Sequence, residues 1–201
     1  MNSIMNSDVI EIKLMNIDDV LILEEYGKSL DEESKAFFRP HNFDENSIKD
    51  ILPNKENLAY VAIYNNKPFA CFFLFGISKP FPCLGIGIEK NFQNKKLGSK
   101  FLDILIEKAK EINRNGIELT CTEGNDRAFY LYKKKGFIYY KNEEGRLNDG
   151  RCVIERAMYL PLKQNAKPDD LVITMGAGDI YMVGEQILET DRLAFLGGME
   201  Q

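Results

Sequence analysis

Polar and apolar residues alternate from Ile10 to Leu14, which predicts a first strand. Val20, Leu21 and Leu23 then recur on a helical period towards Tyr26, with Asp18 or Asp19 as the cap. Leu30 to Pro40 reads as a loop that starts acidic and ends in aromatics, with His41 just beyond it. A short helix is expected over Asp44 to Leu52, stopped before Pro53. Leu58 to Tyr64 and Pro68 to Ile77 flank Asn65-Asn66, and asparagine tolerates the positive φ of a tight turn, so the two runs predict a hairpin. Leu84 to Ile88 is a further strand. The stripe Phe101, Leu102, Leu105, Ala109 and Ile112 marks a helix from Leu97 to Arg114, with Asn115-Gly116 as its stop. Ile117 to Thr122 alternates again, and Asn125 caps a helix that runs to Lys135 and is closed by Gly136. Phe137 to Lys141 and Cys152 to Leu160 are the last two strands, around a polar loop from Asn142 to Gly150.

Strands alternate with helices but also form hairpins, so the fold class is α/β with a mixed, mostly antiparallel sheet flanked by helices. Residues 1–163 form the main domain and Pro161 to Pro168 the linker. The extension 164–201 adds a short strand (Leu171 to Met175), a turn at Gly176-Ala177-Gly178 and a helix (Asp179 to Leu188). Charge supports this division. The extension holds two basic and seven acidic residues, while residues 1–163 balance at 24 of each, so the net charge of -5 belongs to the tail. A balanced body gives no reason to expect a nucleic-acid partner. The longest nearly apolar run, Pro68 to Ile77, is far below the roughly 20 residues of a membrane helix, so no membrane partner is expected. Met1 to Asp8 is polar, with no secretory signal. The four cysteines are far apart with no CxxC pair, which fits a reduced cytoplasmic protein rather than a disulfide framework or a metal site.

Candidate chemistry concentrates between Leu84 and Gly136. A strand ending at Ile88 leads through Gln93-Asn94-Lys95-Lys96-Leu97-Gly98-Ser99 into the long helix. Backbone N–H groups at a helix start are unpaired and the helix dipole favours an anion there. Gly98 lets a ligand come close to the backbone. Residues 90–114 carry seven basic and three acidic side chains, and Arg127, Lys133, Lys134 and Lys135 follow on the next helix. This suits a ligand with several phosphates, although the loop has neither the Walker A nor the G-x-G-x-x-G spacing.

Gln93-x-x-Lys96-x-Gly98, followed by Asn125, Ala128, Leu131, Tyr132, Lys134, Gly136 and Phe137, resembles the paired motifs of the GNAT superfamily of N-acetyltransferases, with Lys96 where the family has a glycine. The resemblance covers roughly residues 8–162 and implies the GNAT fold and acetyl-CoA as co-substrate. It implies that Gln93, Asn94, Lys95, Lys96, Leu97, Gly98 and Ser99 hold the cofactor's diphosphate. It further implies that Ile88 offers backbone groups to the pantetheine arm and an N–H to the thioester carbonyl. Asn125, Ala128 and Tyr132 share a helix face, with Ala128 small enough to leave room for the cofactor. Tyr132, with an ordinary pKa of about 10, is expected to protonate the leaving thiolate. If the loop needs positive φ at Lys96, a lysine there costs on the order of 1 kcal/mol.

For the base that deprotonates the amine, Glu123 is the choice, because it stands in phase with Ile117, Leu119 and Cys121 and is expected to be buried. Glu89, His41 and a water chain remain alternatives. The acceptor is an amine-bearing small molecule or peptide whose identity the residues do not reveal. The tail segment Asp169 to Glu185 is similar to the closing strand, turn and helix of the UDP-N-acetylmuramate–alanine ligase family, and it offers a route to a homodimer by strand exchange. The reading is an N-acetyltransferase. The alternative is a non-catalytic acyl-CoA-binding module whose tail mediates protein interaction.

Overall fold

In a computed structural model of the chain, residues 9–38, 43–52, 54–146 and 151–163 are described. Among them, seven strands form one sheet: β1 (Glu11–Leu14), β2 (Asn57–Tyr64), β3 (Lys67–Phe75), β4 (Cys83–Ile88), β5 (Gly116–Thr122), β6 (Ile138–Arg146) and β7 (Cys152–Pro161), in the order β1-β2-β3-β4-β5-β7-β6. The helices are α1 (Val20–Ser29), α2 (Glu32–Phe37), α3 (Glu45–Ile51), α4 (Leu97–Glu111) and α5 (Asp126–Lys134). Every neighbouring pair of strands is antiparallel except β4 with β5, the mixed sheet expected. The expected tail strand and helix, His41 and the tip of the 142–150 loop lie outside the described residues.

β3 explains why the most apolar run lies in mid-sheet. Its side chains alternate between two cores and are buried on both faces, so polar alternation would be costly there. Phe72 and Leu74 face α4, where Phe72 stacks on Phe101 with ring centroids 4.6 Å apart. Cys71 and Phe73 face α1 and α3, among Leu23, Tyr26 and Ile48. The hairpin between β2 and β3 turns at Asn65 and Asn66, both with positive φ (49° and 61°), as a tight primed turn requires. Gly136 (φ 90°) follows α5 in the conformation a helix stop needs.

Four local expectations change. A 3-10 turn (Ile17–Asp19) leads into α1 and is capped by Asn16, whose side chain accepts from Asp18 N–H while Asp19 accepts from Asn16 N–H; Asp19 then stands at the N-cap position of α1 without a side-chain cap bond. The acidic start of the expected loop from Leu30 is α2, with Asp31 capping the N–H of Ser34 at 2.8 Å. α4 ends at Glu111 with Asn113 at φ 61°, and Gly116 already belongs to β5. The polar run from Asn142 to Arg146 continues β6, paired with β7.

Gly85 and Gly87 shape the cores through absence of bulk. A Cβ on Gly85 would stand 2.2 Å from Phe73 Cζ, and one on Gly87 2.3 Å from Phe38 Cδ1. The rings therefore lie directly on the β4 backbone. Gly85→Ala is expected to cost about 1–3 kcal/mol in urea denaturation, because Phe73 must leave its rotamer. A midpoint equal to the parent's would mean that the ring has room to move.

Candidate active site

β4 and β5 are joined at one end only. Pro80 and Pro82 carbonyls accept from Asn115 and Glu118 N–H groups at 3.0 and 3.1 Å, and Cys83 pairs with Glu118. Past that pair the strands share no further ladder position. The register against β3 decides what the open edge offers. Glu89 N–H bonds Phe69 O at 2.8 Å, so odd-numbered residues of β4 face β3. The backbone N–H groups of Ile86 and Ile88 therefore turn towards the gap. The gap widens into a cleft of about 900 Å³ lined by both strands, the loop before α4, α5 and α2.

The loop enters α4 through two residues in the left-handed region, Asn94 and Lys96, both at φ 61°. The positive φ at Lys96 is the strained case anticipated for a non-glycine residue. Hydrogen bonding of α4 begins with Lys100 N–H to Lys96 O at 3.3 Å, which leaves the preceding amides, Leu97 to Ser99, at the cleft. A Cβ on Gly98 would meet Leu131 at 3.3 Å, so the glycine keeps α4 and α5 close. Gln93 bridges the mouth. Its amide nitrogen donates to Ile88 O at 2.8 Å, and its amide oxygen accepts from Arg127 at 2.9 Å.

The basic residues do not act as one cluster. Lys90 pairs with Asp31 and Glu33 of the α2 region at 3.3 and 3.1 Å. Lys135 pairs with Asp103 of α4 at 2.5 Å. Lys95 lies over the Phe92 ring, 5.1 Å from its centroid, and is not part of the cleft wall. Lys96, Arg127 and Lys134 line the cleft without an ion pair among the described residues.

Ile88, Gln93, Asn94, Lys96, Leu97, Gly98, Ser99, Asn125, Ala128 and Tyr132 all line the cleft. Asn125 also caps α5, its side chain accepting from Ala128 N–H at 3.3 Å. Tyr132 is buried against Phe137, and burial first, then the thiols of Cys121 and Cys83, push its phenol well above the ordinary value. Cys121 also lines the cleft; burial pushes its thiol up to about 11, and it donates to Asn125 O at 3.5 Å. Glu123 corrects an expectation: β5 ends at Thr122, and Glu123 is exposed and outside the cleft wall, so the burial that would have prepared it as a base is absent. Sequence reading missed the α2 wall, including Leu30, Phe37 and Phe38; the Asp31 cap before an acidic first turn was the available signal. No group of three or more His, Cys, Asp or Glu among the described residues is placed to hold a metal ion. Among them, no helix is long and apolar enough to cross a membrane.

Comparison with known proteins bears on this cleft. A sequence profile of the Acetyltransferase (GNAT) family matches residues 23–137. An acetyltransferase of the GNAT family from Streptococcus pneumoniae is similar in structure, with a TM-score of 0.60 and 19% identity, over 77% of this chain and all (100%) of that one. The yncA protein of Salmonella typhimurium, solved with its cofactor acetyl-CoA, gives a TM-score of 0.63 at 18% identity over 81% of this chain and 99% of that one. The ribosomal-protein-S18-alanine N-acetyltransferase of Escherichia coli gives 0.64 at 17% identity over 82% of this chain and 100% of that one. These are likenesses of fold. An alignment over 45 residues that covers 18% of this chain is 51% identical to UDP-N-acetylmuramate–L-alanine ligase of Acetivibrio thermocellus, the family that the tail resembles. The chain spans only 10% of that ligase's length.

Replacing Lys96 by glycine is expected to raise the stability of the ligand-free protein by about 0.5–1 kcal/mol, read by thermal unfolding, because glycine adopts this φ without a Cβ clash. Absence of a gain would mean that a contact of the lysine offsets the strain.

Proposed function

The chain belongs to the GNAT acetyltransferase family, and we propose that it carries an acetyl group from acetyl-CoA to a primary amine by direct attack, with Tyr132 as general acid. One observation carries the reading. The gap between β4 and β5 gathers the α4 N-terminus, the backbone N–H of Ile88 and the Tyr132 side chain around a single cleft.

The residues fit this co-substrate. Unpaired amides and the helix dipole at Leu97 to Ser99 suit a diphosphate. The open β4 edge at Ile86 and Ile88 suits the two amides of a pantetheine arm, which complete a ladder that β5 leaves unmade. Acetyl-CoA supplies an acetyl group already activated as a thioester. Ile88 N–H faces the gap where negative charge would gather on the carbonyl oxygen, and fixed donors of this kind stabilise an oxyanion. Tyr132 holds the proton that the departing sulfur needs when the new C–N bond has formed and the C–S bond breaks. Its raised pKa keeps it protonated throughout the working range, and burial of the sulfur in the same cleft raises the basicity of the thiolate that must accept the proton. Cys121 supports direct attack, because a thiol kept protonated by burial is a poor nucleophile for a covalent acetyl-enzyme.

The acceptor is a primary amine on a small molecule or peptide, entering past Leu30, Phe37 and Phe38 of the α2 wall. Its nitrogen must be neutral to attack. With Glu123 outside the cleft, a water chain or the bulk solvent takes the amine proton.

Tyr132→Phe is expected to lower kcat about tenfold or more in a thiol-release assay while the KM for acetyl-CoA stays near the parent's. Unchanged turnover removes Tyr132 from the mechanism. The pH profile should rise as the acceptor amine loses its proton and show no falling limb from Tyr132 below about pH 10, since its folded pKa lies above the ordinary phenol value. Calorimetry of the full chain should detect acetyl-CoA binding and no ATP binding. Acetyl-CoA binding without thiol release across an amine panel would favour the non-catalytic acyl-CoA-binding module instead.

A further inference from the structure

The pairing of the cleft's cations goes beyond the acetyl-CoA reading, although it rests on it. Five basic side chains line the cleft: Lys90, Lys96, Arg127, Lys134 and Lys135. Carboxylates from other elements neutralise two of them, Lys90 through Asp31 and Glu33, and Lys135 through Asp103. The remaining three have no ion pair among the described residues. They also share one place. Arg127, Leu131 and Lys134 stand at i, i+4 and i+7 on α5, and so on one face. Leu131 is the residue that Gly98 approaches at the start of α4, so Arg127 and Lys134 flank that contact, with Lys96 two residues before Gly98. Arg127 gives one N–H to Gln93 and keeps its other donors.

A diphosphate carries about two negative charges, and the α4 amides with the helix dipole already answer it. Three further uncompensated cations exceed that need. A phosphate monoester, at about -1.5 to -2 near pH 7, matches the surplus. We propose that Lys96, Arg127 and Lys134 recognise the 3′-phosphate on the ribose of coenzyme A, so that the protein selects coenzyme A over its 3′-dephosphorylated form. The two ligands share pantetheine, diphosphate and adenine, and only this group distinguishes them. If the three side chains were merely solvated surface, the two would bind alike.

Calorimetric titration of the full chain at low ionic strength, with coenzyme A and with dephospho-coenzyme A, tests this. The parent is expected to bind coenzyme A about tenfold tighter or more. In Lys134→Met the ratio should fall to within about threefold of one, through loss of coenzyme A affinity with little change for the dephosphorylated ligand. Lys110→Met, on an exposed lysine at the far end of α4 that pairs with Glu107, should leave the ratio as in the parent. Added salt should shrink the parent's preference. Tight binding of both ligands with a ratio near one overturns this inference and leaves the acetyl-CoA reading standing. A parental ratio in Lys134→Met also overturns it. Failure of both ligands to bind overturns this inference together with the acetyl-CoA reading.

Discussion

Among the described residues, the one parallel join, between β4 and β5, governs the rest of the sheet and its cleft. Proline carbonyls and the Cys83–Glu118 pair fasten the two strands at one end, and the ladder then stops. Closing the sheet along its whole length would satisfy the backbone of Ile86 and Ile88 but would erase the cleft. Leaving it open keeps polar groups without a protein partner, which costs stability unless water or a ligand pairs with them. A helical crossover is what permits this geometry. β4 feeds α4, which returns the chain to β5, so the helix start must lie at the open end of the gap.

The same crossover sets the chemistry of each wall. α4 brings its unpaired amides to one side, and α5, following β5, brings Asn125, Ala128 and Tyr132 to the other. Gln93 ties the walls together, holding the Ile88 carbonyl with one end and Arg127 with the other. Strain is accepted where this bridge turns into the helix, at Asn94 and Lys96. On the opposite face of β4, Gly85 and Gly87 let aromatic rings lie on the strand, so the α2 side of the cleft is walled by Phe38 rather than by a polar β4 side chain.

Much of the fold was legible because its signals are local. The Asn65-Asn66 turn, the Asn125 cap and the apolar stripe of α4 each depend on residues within a few positions, and each appears where the pattern puts it. The misreadings share a different cause. Asn142 to Arg146 has the polarity of a loop, but as an edge strand it needs only β7 on one side and tolerates charged side chains. Glu123 is in phase with buried residues, but β5 ends one position before it, so its phase carries no burial. α2 is a short helix whose apolar residues are few, and periodicity needs more turns than it has.

By itself, the sequence determined the order of the elements other than α2 and the type of site, since periodicity, caps and a helix start after a strand are short-range properties of the chain. It also determined which side chains were available to that site. Only the tertiary structure decided which of them line the cleft and which are ion-paired there. Asp31, Glu33 and Asp103 offset the charges of Lys90 and Lys135 in ion pairs, while Lys96, Arg127 and Lys134 have no ion pair among the described residues. Coulombic neutralisation and strand pairing depend on distance in space. Residues 32 positions apart, such as Lys135 and Asp103, meet only once the sheet and its helices have assembled.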